Sequence, residues 1–330
     1  MRDIVVGIHR HCTKPSPCSS DFRLLLKFLW VSSSAGSAFL GTNVRGRQSD
    51  KRSRMRHFKG LGFQAASMVA MTKAAWQYRG FIASSVINDF KTRLSHTRFG
   101  VAWVMLQPLA QVLIVATMLS NVLDARLSGS QNKYAYVVYL MAGTACWALF
   151  TDIVQRCMTV FIDNGSLLKK IQFPRIALPA VVVGIASINN LAYLAIVLTI
   201  LPVLAVYPAV DYLWLPLLMV MTIGLAAGIG LFLGTLNVFV RDIGQVVSVL
   251  IQFWFWVTPI VYPVSIVPQA LRSTVALNPV FPLVVGYQNV LLFKTAPPAE
   301  LRWVALVVVV MLASAMFVFR RASSEMVDVL

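Results

Sequence analysis

Between Val101 and Leu123 the chain runs for 23 residues without a charged side chain. As a helix rising about 1.5 Å per residue, such a stretch crosses the roughly 30 Å hydrocarbon core of a bilayer. Inside that core every backbone N–H and C=O has to be satisfied within the protein, and a helix does this locally. Further apolar stretches follow at Tyr134–Phe150, Ile176–Val206, Tyr212–Val240, Ile243–Tyr262 and Trp303–Phe319. The expected fold is an all-α integral membrane protein with six transmembrane helices over residues 101–319. Composition agrees, with 58% hydrophobic and 12% charged residues, against about a quarter charged in soluble domains.

Charge sets the orientation. Residues 1–98 hold 17 of the 29 Lys/Arg and 4 of the 12 Asp/Glu. Basic residues flanking membrane spans mark the cytoplasmic side, so both termini, including the tail 320–330, are expected there. Nucleic acid is not an expected partner. Residues 1–67 are polar and basic, and their one apolar piece, 22–41, is interrupted by Lys27. They read as a disordered extension or a start placed too early, with Met55, Met68 or Met71 as alternatives. Cys12 and Cys18 beside His9 and His11 lack the spacing of a zinc site, so no metal is expected. Residues 72–100 set Trp76, Phe81, Ile82, Val86, Ile87 and Phe90 against Lys73, Arg79, Lys91 and Arg93, the pattern of an amphipathic helix in the cytoplasmic interface.

Two interruptions carry more information than the spans. NGSLLKKIQFPRIALP, Asn164–Pro179, joins a polar turn to a short amphipathic helix that Pro174 and Pro179 cut off. It is expected to be a docking surface for whatever drives the membrane part. Residues 263–294 are apolar but broken by Pro263, Pro268, Pro279 and Pro282, which suggests two re-entrant half-helices on the external side. Arg241 and Asp242 form a tight turn, and Gly228–Gly234 offers small residues for close helix packing.

The spans drawn this way contain no Asp, Glu, Lys, Arg or His, which argues against a proton-coupled carrier. Asn189 and Asn190 lie mid-membrane, either bridging helices or coordinating sodium. The external acids Asp124, Asp211 and Glu300 are scattered, which disfavours a membrane glycosyltransferase or ligase. There is no G-x-x-x-x-G-K-[ST] phosphate loop, so energy from ATP would have to come from a partner. FWFWVTPIVYP, Phe253–Pro263, is either an interfacial aromatic belt or a ladder on which sugar rings stack. Helical spacing would put Trp254, Thr258 and Tyr262 on one face, with Phe255 and Pro259 on another.

Four pieces in order resemble the permease subunits of ATP-binding-cassette polysaccharide exporters, which move O-antigen, capsule or teichoic acid. They are FKTRLSHTRFGVAWVMLQP, NGSLLKKIQFPRIALP, NVFVRDIGQVV and TPIVYPVSIVPQALRSTVALNPVFPLVVGYQNVLL, spanning about Asp89 to Phe319. Leu94 and Gln288 depart from the family, which usually has Tyr and often Arg at these places, and residues before about 60 have no counterpart. The resemblance implies a multi-pass protein of the bacterial inner membrane that acts as a transport subunit and not an enzyme. It binds no cofactor itself, and ATP and Mg are used by a separate ATPase subunit. A second copy would complete the channel, and the cargo would be a lipid-linked polysaccharide. The resemblance further implies coupling to the ATPase through Asn164, Gly165, Leu168, Lys169, Lys170, Phe173, Pro174 and Arg175. Lipid heads would enter near Arg93, Arg98, Phe99, Gly100 and Trp103. Channel and gate would use Phe253, Trp254, Trp256, Thr258, Pro259, Tyr262, Pro263, Asn278, Pro279 and Tyr287. The same fold exporting a drug, lipid or other small cargo is the alternative.

Overall fold

The computed structural model describes residues 79–96, 106, 109–114, 134–170, 175–202, 204, 206–207, 209–323 and 325–326. Among them there is no strand. The helices are α1 (Arg79–His96), α2 (Ala135–Asp163), α3 (Gly165–Lys170), α4 (Ala177–Ile200), α5 (Leu215–Phe239), α6 (Asp242–Val257), α7 (Gln269–Ala276), α8 (Phe281–Gln288) and α9 (Leu301–Ala322). Four segments are long and apolar enough to cross a membrane: α2, α4, Val210–Phe239 and α9. Shorter apolar helices cover Asp242–Val257 and Phe281–Phe293. Most of the expected span 101–123 lies outside the described residues, with helix seen at 109–114.

Helix α2 is the core of the bundle. It has 29 residues, about 43 Å of helix, and packs against α4, α5, α6 and α8. The sequence expectation of a short span ending at Phe150 is corrected here, because α2 runs on to Asp163. The charge-free part of α2 ends at Thr151, and Asp152, Arg156 and Asp163 follow it within a helix longer than the roughly 30 Å hydrocarbon core. Asp152 and Arg156 lie within α2 and pair across one helical turn, so a charge is held where the hydropathy pattern had already placed the end of the segment. Hydropathy marks where the apolar run stops, whereas the helix goes on past it, with Asp152 and Arg156 paired on its part-exposed side.

Helix α5 reaches α2 and α9 through glycines. A Cβ at Gly230 would stand 2.8 Å from the Cβ of Cys157, and one at Gly234 would overlap the Cys157 carbonyl. On the other side a Cβ at Gly224 would come within 2.7 Å of Val308. Small residues thus let three helices approach backbone to backbone, as membrane helices do when lipid supplies no hydrophobic drive. Gly234→Ala is expected to cost about 1–3 kcal/mol by overpacking. Gly80→Ala, where a Cβ meets nothing within 4 Å, should not destabilise. Thermal unfolding of the two variants in detergent checks the contrast.

Local sequence explains the breaks. Pro216 and Pro282 sit in the first turns of α5 and α8, where a missing N–H costs nothing. Helix α6 stops after 16 residues because Thr258 precedes Pro259, and a residue before proline is pushed out of the helical region (φ −84°, ψ 128°). Helix α1 lays Val86 against α4 at Gly184 and leaves Phe81 and Ile87 exposed. Phe161 and Phe319 stack at 5.6 Å, closing the C-terminal ends of α2 and α9 on each other.

Candidate functional site

The N-terminal end of α2 holds the segment that follows α6. Thr258–Pro263 is not helical, so its carbonyls need partners from elsewhere. Tyr136 Oη donates to Val261 O (2.8 Å), and Tyr139 Oη lies within hydrogen-bonding distance of Pro259 O (3.2 Å) and Tyr262 O (3.1 Å). Gln288 Nε2 donates to Pro259 O at 3.4 Å. Sequence reasoning missed both tyrosines, since they lie more than a hundred residues from their partners and lack any local motif.

The aromatic run divides by side. Because the helix ends at Val257, the expected face shared by Trp254, Thr258 and Tyr262 does not form. Tyr262 instead turns back, its hydroxyl donating to Trp256 O (2.9 Å). Trp254 points inward, edge-on to Phe150 and Trp147, and its Nε1–H donates to Asn278 Oδ1 (3.0 Å). Asn278 Nδ2 then donates to Thr258 Oγ1 (2.9 Å), while its Oδ1 also accepts from Val280 N (3.0 Å). Trp254, Thr258 and Asn278 therefore form one network that pins the approach to α8. Pro259 and Pro263 are buried beside it, Pro279 is half-buried, and Tyr287 is fully buried in the core. Phe253 and Trp256 are 66% and 64% exposed.

A cleft of about 540 Å³ opens between α2, α4 and α6, with Gln111 of the helical segment 109–114 also on its wall. Its described lining includes Asp152, Gln155, Asn189, Tyr193, Gln252 and Trp256. Asn190 Nδ2 donates to Ala145 O (2.8 Å) and Asn189 Nδ2 to Asp152 Oδ2 (3.5 Å), so both asparagines bridge α4 to α2.

The C-terminal end of α2 carries the motif around Asn164. That residue caps α2, its Nδ2 donating to Val160 O (2.8 Å), and α3 starts at the next position. Gly165 and Leu168 are buried, Lys169 and Lys170 close α3, and Arg175 forms the turn before α4. Phe173 and Pro174 lie outside the described residues. Arg93 falls in the last turn of α1, while Arg98, Phe99, Gly100 and Trp103 lie outside the described residues. Arg241 and Asp242 are exposed in the turn between α5 and α6. Asn237, which sequence reasoning passed over, organises that turn. Its Nδ2 donates to Met158 O of α2 (2.9 Å) and its Oδ1 accepts from Gly244 N of α6 (2.9 Å).

Fold and site together define a helical membrane protein whose buried central helix touches a pinned loop at one end and a short helix at the other, with a polar cleft between. The chain belongs to the ABC-2 type transporter family, whose pattern matches residues 82–292. It is 27% identical over 264 residues, covering 79% of this chain and 99% of the relative, to the O-antigen export system permease protein RfbA of Myxococcus xanthus. Identity to a protein of the same name from Klebsiella pneumoniae is 25% over 202 residues, 61% of this chain and 76% of the relative. The polysialic acid transport protein KpsM of Escherichia coli is 20% identical over 197 residues, 58% of this chain and 74% of the relative.

Proposed function

We propose that this chain is the permease subunit of an ATP-driven exporter that carries a lipid-linked polysaccharide, such as an O-antigen or capsular glycan, across the bacterial inner membrane. The observation that supports it most is the similarity to an O-antigen export permease over 99% of that protein's length. ATP and Mg belong to a separate ATPase subunit, a second copy of the chain completes the channel, and both termini face the cytoplasm. The remaining two spans of a six-span arrangement are assigned to residues 101–123 and to α6 with the segment after it. Residues 1–67 are assigned to an extension outside the permease domain, and α1 to the cytoplasmic interface, where its basic end meets the pyrophosphate head of the lipid carrier.

Asp152 follows the charge-free part of α2, so the lack of titratable groups within the apolar runs and the family membership both speak against proton coupling. Connectivity supports a coupling route. Helix α3 receives the thrust of the ATPase and passes it through the single joint at Asn164 into α2. Tyr136 and Tyr139, at the far end of α2, carry it to Thr258–Pro263 and the gate. A rigid, buried helix suits this because a packed core moves as a unit. Deleting the gene should remove the surface polysaccharide and leave lipid-linked polymer inside the cell. Unchanged surface polymer in the deletion strain would refute the export reading.

A further inference from the structure

We propose that the cleft between α2, α4 and α6 binds one sugar residue of the transported chain, with Asp152, Gln155, Asn189 and Gln252 gripping its hydroxyls and Trp256 taking its C–H face. This rests on the glycan reading above and assigns the grip to a particular place within a single copy of the chain. At about 540 Å³ the cleft lies within the roughly 300–1,000 Å³ usual for small-molecule sites.

Its chemistry favours a neutral, polyhydroxylated ligand. Amide and carboxylate groups present donors and acceptors side by side, which matches adjacent hydroxyls. Asn189 Oδ1, Asn190 Oδ1 and Tyr193 Oη have no hydrogen-bond partner, although their residues are only 7%, 4% and 3% exposed. These three atoms expose almost no surface, so they make the wall behind the cleft polar, and the exposed amides of Gln155 and Gln252 are the groups that a sugar hydroxyl reaches first. Arg156 pairs with Asp152, which leaves the charge locally balanced and suits neither a free cation nor a phosphate. Trp256, 64% exposed at the cleft, offers an aromatic face whose negative quadrupole attracts the weakly positive C–H groups of a sugar ring.

The test uses the full chain in lipid nanodiscs and calorimetric titration with two probes. One is the cells' own polysaccharide freed from lipid by mild acid, and the other is polyprenyl pyrophosphate carrying no sugar. The freed glycan should bind, and Gln252→Leu and Asn189→Leu should each weaken it about tenfold, equivalent to about 1.4 kcal/mol. Leu306→Ala, on the exposed side of α9, should leave it unchanged. Gln252 is exposed, so its replacement keeps the test valid if Asn189→Leu fails to fold. Equal binding by wild type and Gln252→Leu, binding of the sugar-free carrier alone, or no binding of glycan overturns the proposal. If the deletion strain loses its surface polymer while Gln252→Leu binds normally, the cleft assignment fails and the export reading stands.

Discussion

Trp254→Ala is expected to destabilise the protein by about 3–5 kcal/mol, while Trp256→Ala changes stability by no more than about 0.5 kcal/mol. The two residues are neighbours of the same type and differ only in which side of α6 they occupy. Trp254 fills the angle between Phe150 and Trp147, and its loss leaves a cavity there. It also removes the donor to Asn278, whose other bonds hold Thr258 and Val280. Trp256 has no such role and is mostly exposed. Under the glycan reading it should still matter, with Trp256→Ala slowing export of long chains and shortening the surface polymer. Thermal unfolding in detergent and gel profiles of surface polysaccharide separate the effects. Equal melting temperatures for the two variants would contradict the division into a packed and a presented tryptophan.

Reversing two charges on α3, Lys169→Glu with Lys170→Glu, should reduce polysaccharide export by about tenfold or more, since like charges facing a partner cost several kcal/mol. Membrane insertion and melting temperature should stay near wild type. The helix has six residues and follows α2 after one intervening position, so under the coupling proposal a weakened contact there separates the ATPase from the central helix. The readouts are surface polymer per cell and ATPase activity of the purified complex. Continued ATP hydrolysis with lost export marks uncoupling, and normal export shows that these lysines do not dock the partner.

Legibility followed the range of the interactions. Helix positions were readable because apolar runs, prolines and glycines act within a few residues of themselves. Pro259 stops α6 at Thr258, yet the run of aromatics drew the expected helix on to Tyr262, since hydropathy weighs composition above backbone geometry. The end of α2 was misjudged for a related reason. Asp152 and Arg156 look like a boundary because hydropathy ends there, but a helix can run on past the end of its apolar stretch. The short helix after Asn164 was legible because its pattern is compact. Asn237, Tyr136 and Tyr139 were not, because each acts on a backbone 79 or more residues away.

The sequence by itself determined that this chain is helical and lives in a membrane, because charge-free runs of about 20 residues match a helix crossing the bilayer and lack the alternation of a barrel strand. It also located a break in the apolar pattern at Asn164–Pro179, where the short helix α3 lies between α2 and α4. Only the tertiary structure decided that α2 is the central element, which of the clustered aromatics packs inward, and that Asp152, Asn189 and Gln252 share one cleft. Those outcomes depend on which helices touch, and contact between helices is set by the fit of whole surfaces, which no local pattern contains.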